Sequence, residues 1–431
     1  MQQHPVSVAA YYRLVRENRN FRLLWCAQIV SELGDWFYAI SIYSLLLELT
    51  GSAKSIGLAY VLQVLPQFFV APAAGVVNDR MSRRRVMILS DLARAAIVLG
   101  MLLVRSPSLV WLVYVLLLLE TVGWAFFEPG RSAVVPVIAR EDELLAANAL
   151  GSVTWSFNLA IGAGLGGLVA AFLGRNMVFL INAASFLGSA ALIRAMRFPE
   201  EHLAQARPFR ARELTDFSPF LEGARYMIRD RRLLATLFVK GGLGLMGTNW
   251  VLLPIFGERV FPVRPAELGA PRAGMLGMSL LMGSRGVGAL IGPLIGGYAL
   301  GREAPRLRLG ILLGFLAAAM GYVALAAAPS LGWACAAVIL AHAGGSTIWV
   351  FSTTLLQEQT EDRYRGRVFS ADYALLSVTV SAATYLAGVS IDWGAGVRTI
   401  AALTGALSLV PASLWALAQR LWREPQPVRR R

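Results

Sequence analysis

Residues 75–85 read Gly-Val-Val-Asn-Asp-Arg-Met-Ser-Arg-Arg-Arg and lie between two apolar runs. The preceding run covers about 56–77 and the following one 86–104, each near the ~20 residues that cross a bilayer core. A stretch this short and this polar can neither enter lipid nor form a domain, so it predicts a tight hairpin loop. Its four arginines favour the cytoplasmic side, because loops rich in Lys and Arg remain there.

Two residues of this stretch are not explained by the hairpin alone. Gly75 has no side chain, so a neighbouring helix can approach it closely. Asp79 stands where a carboxylate can cap the N-terminus of a helix and pair with an arginine. A basic loop that served only to fix topology would need its arginines but neither of these two residues.

The composition indicates a polytopic membrane protein. The chain has 431 residues, of which 56% are hydrophobic, and carries a formal charge of +14, and its mean hydropathy is +0.58. The basic residues concentrate in alternate loops and at the termini, which indicates topology rather than a nucleic-acid interface. Cys26 and Cys335 lie inside apolar runs and the histidines have no metal-ligand spacing. We therefore expect no disulfide, metal, cofactor or enzyme activity.

Twelve apolar runs divide the chain into two halves. We predict an all-α membrane protein with 12 transmembrane helices in two pseudo-symmetric six-helix bundles and both termini in the cytoplasm. The stretch 149–154, Ala-Leu-Gly-Ser-Val-Thr, recurs as Ala-Leu-Leu-Ser-Val-Thr at 374–379, which favours an internal duplication. The predicted parts are a cytoplasmic segment 1–22, a first bundle 23–196, an arginine-rich cytoplasmic linker 197–232, a second bundle 233–421 and a basic tail 422–431.

The strongest functional signal is a polar stripe in the first apolar run. Gln28, Glu32 and Asp35 are four and three residues apart, so they share one helix face. Ionisable residues at membrane depth are costly and usually face a bundle interior or a wet cavity. Because burial disfavours the charged form of a carboxyl group, Asp35 is suited to exchange a proton. The alternative is a purely structural pair with a buried cation such as Arg285 or Lys240.

The other charged residues in the apolar runs are candidates for the same two roles, proton coupling and structural pairing. Asp91 and Arg94 are three residues apart near a cytoplasmic end, which favours a local ion pair. Glu120 fits coupling and pairing equally well. Arg285 is near mid-membrane and fits a counter-charge or an anion contact, whereas Lys240 is close enough to its helix end to snorkel. The predicted proton-coupling and substrate-cavity residues are Asp35, Glu32, Gln28, Glu120 and Arg285.

Glycines four residues apart predict two closely packed helices. Pro293 removes one backbone hydrogen bond of the second of these helices and allows a bend. Aromatic residues in several runs are candidates to line a cavity. The glycines are Gly162, Gly166 and Gly167 in the fifth run and Gly288, Gly292, Gly296 and Gly297 in the eighth, and the aromatic candidates are Trp25, Trp36, Tyr38, Trp124, Trp250 and Tyr373.

The opening stretch resembles the Gly-x-x-x-Asp-Arg-x-x-Arg-Arg motif between helices 2 and 3 of the major facilitator superfamily. Gly75, Asp79, Arg80, Arg83 and Arg84 occupy its places. One branch of that superfamily contains macrolide and other drug:proton antiporters and the enterobactin exporters. Stretches similar to that branch are Gly-Asp-Trp-Phe at 34–37, Asp-Leu-x-Arg at 91–94, Ala-Ala-Asn-Ala-Leu at 146–150 and Arg-Gly-Arg-Val-Phe at 365–369.

The resemblance implies a central cavity and rocking between inward- and outward-facing states. It also implies that Asp79 contacts the start of helix 11 near Arg365 and Arg367, stabilising the outward-facing state. The helix 4 arginine of many proton antiporters is missing here, with Glu120 in that region. The antiporters of the superfamily carry a glycine-proline pattern in helix 5. In this sequence the full pattern is in helix 8, and helix 5 has a degraded form of it. The implied conformational switch comprises Gly75, Asp79, Arg80, Arg83, Arg84, Asp91, Arg94, Arg365 and Arg367.

These observations predict a monomeric exporter of an amphipathic, drug-like molecule in the inner (plasma) membrane. Its partners would be the substrate, protons and the lipid bilayer, with no nucleic acid. Within transport, the alternative is a siderophore or lysophospholipid carrier. From another class, the alternative is a membrane sensor or scaffold that kept the fold without transport. The retained membrane acids and the intact loop motif favour transport.

Overall fold

The computed structural model describes residues 8–140, 143–204, 211–263, 270–301, 303–361 and 364–420. All regular elements in these ranges are helical. The predicted tail at 422–431 and parts of the predicted N-terminal segment and linker lie outside the described residues. Contacts divide the chain into two compact units, which we call the first and the second unit.

Within the described residues, the first unit contains ten α-helices or parts of α-helices. An apolar core within it includes Leu14, Phe21, Phe127 and Ile193. Its helices are α1 (Val8–Glu17), α2 (Arg19–Thr50), α3 (Ala53–Arg80), α4 (Arg83–Gly100), α5 (Val110–Ile138), α6 (Leu144–Leu173), α7 (Arg175–Arg194) and α10 (Asn249–Ile255), with α11 (Ala270–Leu300) up to Gly286 and α14 (Arg365–Asp392) from Thr384 onward.

The second unit contains the remaining helices. Its core includes Met227, Leu233, Leu356 and Val368, so the short helix Ser218–Arg229 (α8), which lies in the predicted linker, packs on this core. The helices are α8 (Ser218–Arg229), α9 (Arg231–Gly244), α12 (Ala304–Ala327), α13 (Leu331–Gln359) and α15 (Val397–Arg420), with the rest of α11 from Val287 and α14 up to Ala383.

Ten helices of the described chain, α3 to α7 and α11 to α15, are long and apolar enough to cross a membrane. The predicted helix 1 lies within α2, a continuous helix of 32 residues that carries several charges. The first predicted run of the second bundle, which begins at 233, is interrupted, because a 3₁₀ turn at Leu245–Thr248 separates α9 from α10. The count of 12 transmembrane helices therefore stays a prediction.

The hairpin predicted over 75–85 is shorter than expected. α3 continues through Gly75 and Asp79 to Arg80, and α4 begins at Arg83. Basic residues are favourable in a last helical turn, because they face the negative end of the helix dipole. Ser82 caps α4 in place of Asp79, since its Oγ accepts the Arg85 backbone N–H at 3.2 Å. The expectation that Asp79 caps the adjacent helix is therefore wrong.

Two of the predicted packing glycines lie where helix backbones almost touch. A Cβ at Gly166 of α6 would lie 2.6 Å from the Cα of Phe37 in α2. A Cβ at Gly292 of α11 would lie 2.2 Å from the carbonyl oxygen of Ala343 in α13. Any side chain at these positions would force the helices apart. At Gly297, by contrast, an added Cβ would meet no described atom within 4 Å.

Candidate functional site

A buried arginine joins three helices of the first unit. Arg94 of α4 is 2% exposed and donates from Nη2 to Asp35 Oδ2 of α2 at 2.9 Å. Its Nε donates to Glu120 Oε1 of α5 at 2.8 Å. Asp91 Oδ1 lies 3.8 Å from Arg94 Nη1. We call Asp35, Asp91, Arg94 and Glu120 the Arg94 cluster.

The surrounding residues shape the space for this guanidinium. A Cβ at Gly123 of α5 would lie 2.8 Å from Arg94 Cγ, so the glycine leaves room for the arginine stem. On α7, the face of the Phe186 ring lies against the guanidinium, with 4.0 Å between Arg94 Cζ and the centre of the ring. An aromatic face attracts a cation, and the attraction is stronger where water is excluded. Gly123 therefore leaves room for the stem of Arg94, and Phe186 stabilises its cation.

The charges of the Arg94 cluster do not balance when every group is ionised. Three carboxylates against one guanidinium leave two negative charges uncompensated. Uncompensated charge is costly where water is excluded. Asp35 is 32% exposed, against 13% for Glu120 and 0% for Asp91. Asp35 is thus the carboxylate of the cluster that is most open to its surroundings.

Glu32 belongs to a separate network about one turn along α2. Its Oε1 accepts from Gln28 Nε2 at 2.8 Å and its Oε2 accepts from Asn158 Nδ2 at 2.9 Å. Arg131 Nη1 donates to Gln28 Oε1 at 3.3 Å and pairs with Glu128. Both Glu32 oxygens therefore have amide donors. The predicted stripe of Gln28, Glu32 and Asp35 is divided between this network and the Arg94 cluster.

Arg285 and Lys240 were the two cations that the sequence offered as structural partners of Asp35. Neither of them pairs with Asp35 in the structure. Arg285 lies over the ring of Trp250 at 3.8 Å from its centre. That ring also stacks on Tyr60, with the two centroids 4.4 Å apart. Lys240 is 2% exposed and lies 3.7 Å from Asp372, so the snorkelling predicted for it is wrong. The carboxylate of Asp372 on α14 supplies a nearby counter-charge, which lowers the cost of burying the lysine ammonium.

The predicted loop motif is held by two acids that follow α7. Arg80 pairs with Glu213 at 2.8 Å. Glu200 accepts from Ser82 Oγ at 2.6 Å and from the Arg84 backbone N–H at 3.2 Å. Neither glutamate stands out in the sequence, although both lie in the predicted linker.

Asp79 itself is largely exposed. Its carboxylate is 72% exposed and approaches Arg83 only at 3.8 Å. An added Cβ at Gly75 would meet no described atom within 4 Å, so no helix packs on it here. In the second unit, Arg367 pairs with Glu222 of α8 at 2.5 Å.

The opposite end of α3 carries a cap that the sequence did not predict. Asp392, the last residue of α14, accepts the backbone N–H groups of Ala53 at 2.7 Å and Lys54 at 3.1 Å. It also accepts from the Ser52 hydroxyl. A carboxylate at a helix N-terminus satisfies unpaired N–H groups and complements the helix dipole. The only sequence signal was an acid directly after an apolar run, which does not reveal its partner.

The family comparison agrees with this fold. A family model described as transmembrane secretion effector matches residues 14–427. The chain is 26% identical over 380 residues to macrolide efflux protein A of Streptococcus pyogenes, covering 86% of this chain and 89% of that protein. It is 26% identical over 332 residues to the class C tetracycline resistance protein of Escherichia coli, covering 76% and 77%. Its match to the transporter YkuC of Bacillus subtilis spans 57% of that protein.

Solved structures resemble the whole fold at low sequence identity. The crystal structure of a POT family transporter with a thioalcohol conjugated peptide has a TM-score of 0.73, at 11% identity, covering 94% of this chain and 96% of the other. The family model, the efflux relatives and the many apolar helices together define an integral membrane transporter of the major facilitator superfamily. Within that superfamily, the chain belongs to the transmembrane secretion effector family.

Proposed function

We propose that this transporter exports an amphipathic organic molecule in exchange for protons, and that the Arg94 cluster is the proton site. The observation that carries the proposal is the excess of acid around one buried arginine, with three carboxyl groups sharing a single guanidinium. Such a cluster can change its proton content without losing its central cation. The efflux relatives support export, since one is named for macrolides and another for tetracycline resistance.

Asp35 is the member of the cluster that exchanges the proton in this proposal. When Asp35 is ionised, its carboxylate accepts from Arg94 Nη2, as the structure has it. When Asp35 is protonated, Glu120 remains as the second acceptor, so the guanidinium is never left without a counter-charge. Opening to the outside hydrates the site and admits a proton, whereas substrate binding or inward opening favours its release. Glu32 positions α2 through its amide partners.

The proposed architecture adds two spans to the ten apolar helices. α2 is about 48 Å long at ~1.5 Å per residue, which exceeds the ~30 Å of a bilayer core. The interrupted run of α9 and α10 supplies the other span. We propose two six-helix bundles over 23–196 and 233–421, with both termini on the cytoplasmic side of the inner membrane and a monomer as the working unit.

We also propose that Asp79 acts in the conformational switch and not in substrate binding. Asp79→Asn should cut the transport rate severalfold while the equilibrium affinity for substrate changes by less than about threefold. Because Asp79 is exposed, the midpoint of thermal unfolding should not move. Glu303→Gln is the matched control, since Glu303 is 71% exposed and faces Arg306 at 3.4 Å in a comparable pair. A large loss of affinity in Asp79→Asn, or unchanged transport, would count against the switch.

The proposed function is tested with the purified protein in lipid vesicles under an imposed pH gradient. Radiolabelled erythromycin, tetracycline and a lysophospholipid serve as separate substrates. We expect at least one of them to accumulate against its own gradient, in the direction opposite to the proton flow, and a protonophore to abolish that accumulation. Movement that ignores the pH gradient would refute proton antiport. A protein that neither binds nor moves any of them would favour the sensor or scaffold alternative.

A further inference from the structure

The second unit contains a buried ion pair that the proposed proton site does not use. Lys240 of α9 has its Nζ 3.7 Å from Asp372 Oδ2 of α14, and the two side chains are 2% and 7% exposed. The same Nζ donates to Thr353 Oγ1 of α13 at 2.9 Å. It also lies 3.6 Å from the centre of the Trp349 ring. We call Lys240, Trp349, Thr353 and Asp372 the Lys240 site.

The ion pair within this site is loosely joined. Its 3.7 Å separation exceeds the ~2.7–3.2 Å of an N–H···O hydrogen bond. Asp372 Oδ1 is buried and has no hydrogen-bond partner in the described part of the chain. A buried pair offsets the cost of desolvation only with good geometry and satisfied oxygens. This pair has neither, so structural stabilisation alone does not account for it.

The groups around Nζ are those that recognise an organic ammonium. An aromatic face attracts a cation, a carboxylate supplies the counter-charge, and a hydroxyl accepts a hydrogen bond from an N–H. Trp349 is 42% exposed, so its ring can be reached from the surface of α13. Lys240 has a flexible four-carbon stem that lets its charge withdraw from the site. The lysine ammonium therefore occupies a place that a second ammonium can take.

We propose that the Lys240 site is a subsite for a protonated amine of the exported molecule, and that Lys240 fills it when substrate is absent. This inference rests on the proposed export of an organic molecule and assigns its class as an amphipathic amine. Substrate binding exchanges one ammonium for another over the Trp349 ring, so Asp372 always faces a cation. The lysine thus acts as an internal competitor, which raises the concentration of amine needed to occupy the site.

Two single substitutions test this proposal because they should act in opposite directions. The probes are 9-aminoacridine, which is cationic at neutral pH, and acridine, which has the same rings and is uncharged. We expect Asp372→Asn to weaken binding of 9-aminoacridine by about tenfold or more, because the counter-charge is lost. We expect Lys240→Met to strengthen it by about tenfold, because the competitor is removed. Fluorescence anisotropy of the purified protein measures both affinities.

Acridine is the control for shape and apolar contact. Its affinity should change by less than about threefold in either variant, since it carries no charge. If both substitutions weaken 9-aminoacridine binding, or if both probes respond alike, the pair is structural and the proposal is wrong. Absence of saturable 9-aminoacridine binding in both the parent and Lys240→Met would also overturn it. Thermal unfolding of each variant identifies any that fails to fold.

Two further variants keep the outcome decisive. Trp349→Leu retains both charges and should weaken 9-aminoacridine binding, so it replaces Asp372→Asn if that variant does not fold. Glu303→Gln changes an exposed pair outside both sites and should leave 9-aminoacridine affinity within about threefold. Opposite effects of Asp372→Asn and Lys240→Met without proton-driven transport would sustain the amine subsite and refute proton antiport. Proton-driven transport without those opposite effects would support proton antiport and refute the amine subsite.

Discussion

Asp35→Asn is expected to abolish efflux against a concentration gradient while downhill exchange of substrate continues. Asparagine is close in shape to a protonated aspartate but can neither take up nor release a proton. Arg94 keeps Glu120 as its counter-charge in this variant, so the helices should remain packed. In vesicles with an imposed pH gradient, accumulation should fall to the level of protein-free vesicles. Exchange measured without a gradient should remain well above that level.

Glu32→Gln is the matched control for this prediction. Glu32 lies on the same face of α2, but amide groups of Gln28 and Asn158 already satisfy its two oxygens. Losing its charge should reduce transport only in part and should leave the pH gradient effective. If Asp35→Asn still concentrates substrate as well as the parent protein, the coupling lies elsewhere, and Glu120 is the next candidate.

Arg94→Ala should be the most destabilising single substitution in the first unit. It leaves the three carboxyl groups of the Arg94 cluster without their cation and empties the space beside Gly123 and Phe186. Removing one partner of a buried ion pair costs about 3–5 kcal/mol. We expect a large fall in the yield of folded protein and a lower midpoint of thermal unfolding in detergent.

A combined variant separates charge from packing in that result. Asp35→Asn with Glu120→Gln removes the two acids hydrogen-bonded to Arg94, so adding Arg94→Ala to that pair should cost much less than in the parent. Arg105→Ala is the control for loss of an arginine, because Arg105 is exposed and bonds only weakly to a backbone carbonyl at 3.3 Å. Equal destabilisation by Arg94→Ala in both backgrounds would show that packing, and not charge, is what Arg94 supplies.

Much of the helical layout could be predicted from the sequence, because apolar length and the placement of arginines are local properties. The runs at 56–77 and 86–104 correspond to α3 and α4. α3 extends beyond the predicted run at both ends, whereas α4 begins and ends a few residues earlier than predicted. The prediction of the helix cap failed, because it depended on a polar residue at a helix end. The turn beside Arg83 is capped by Ser82 rather than Asp79, because either side chain suits such a turn and only the backbone geometry decides.

The partners within the candidate site could not be predicted in the same way. Spacing placed Asp91 and Arg94 on one helix face and predicted a local pair, which is present at 3.8 Å. The sequence did not show that Arg94 also makes its hydrogen bonds to Asp35 and Glu120 on other helices. Helix rotation and depth decide such pairs, and one sequence does not give either. The cap that Asp392 places on Ala53 joins residues more than 300 positions apart and was missed for the same reason.

Proton release on substrate binding tests the central claim most directly. Purified protein in a weakly buffered solution with a pH-sensitive dye is titrated with whichever substrate moves in the vesicle experiment. The parent protein should acidify the solution as the substrate saturates it. Asp35→Asn should bind the same substrate and release no protons. Substrate binding by the parent without acidification, or equal acidification by Asp35→Asn, would contradict the assignment of Asp35 as the proton carrier.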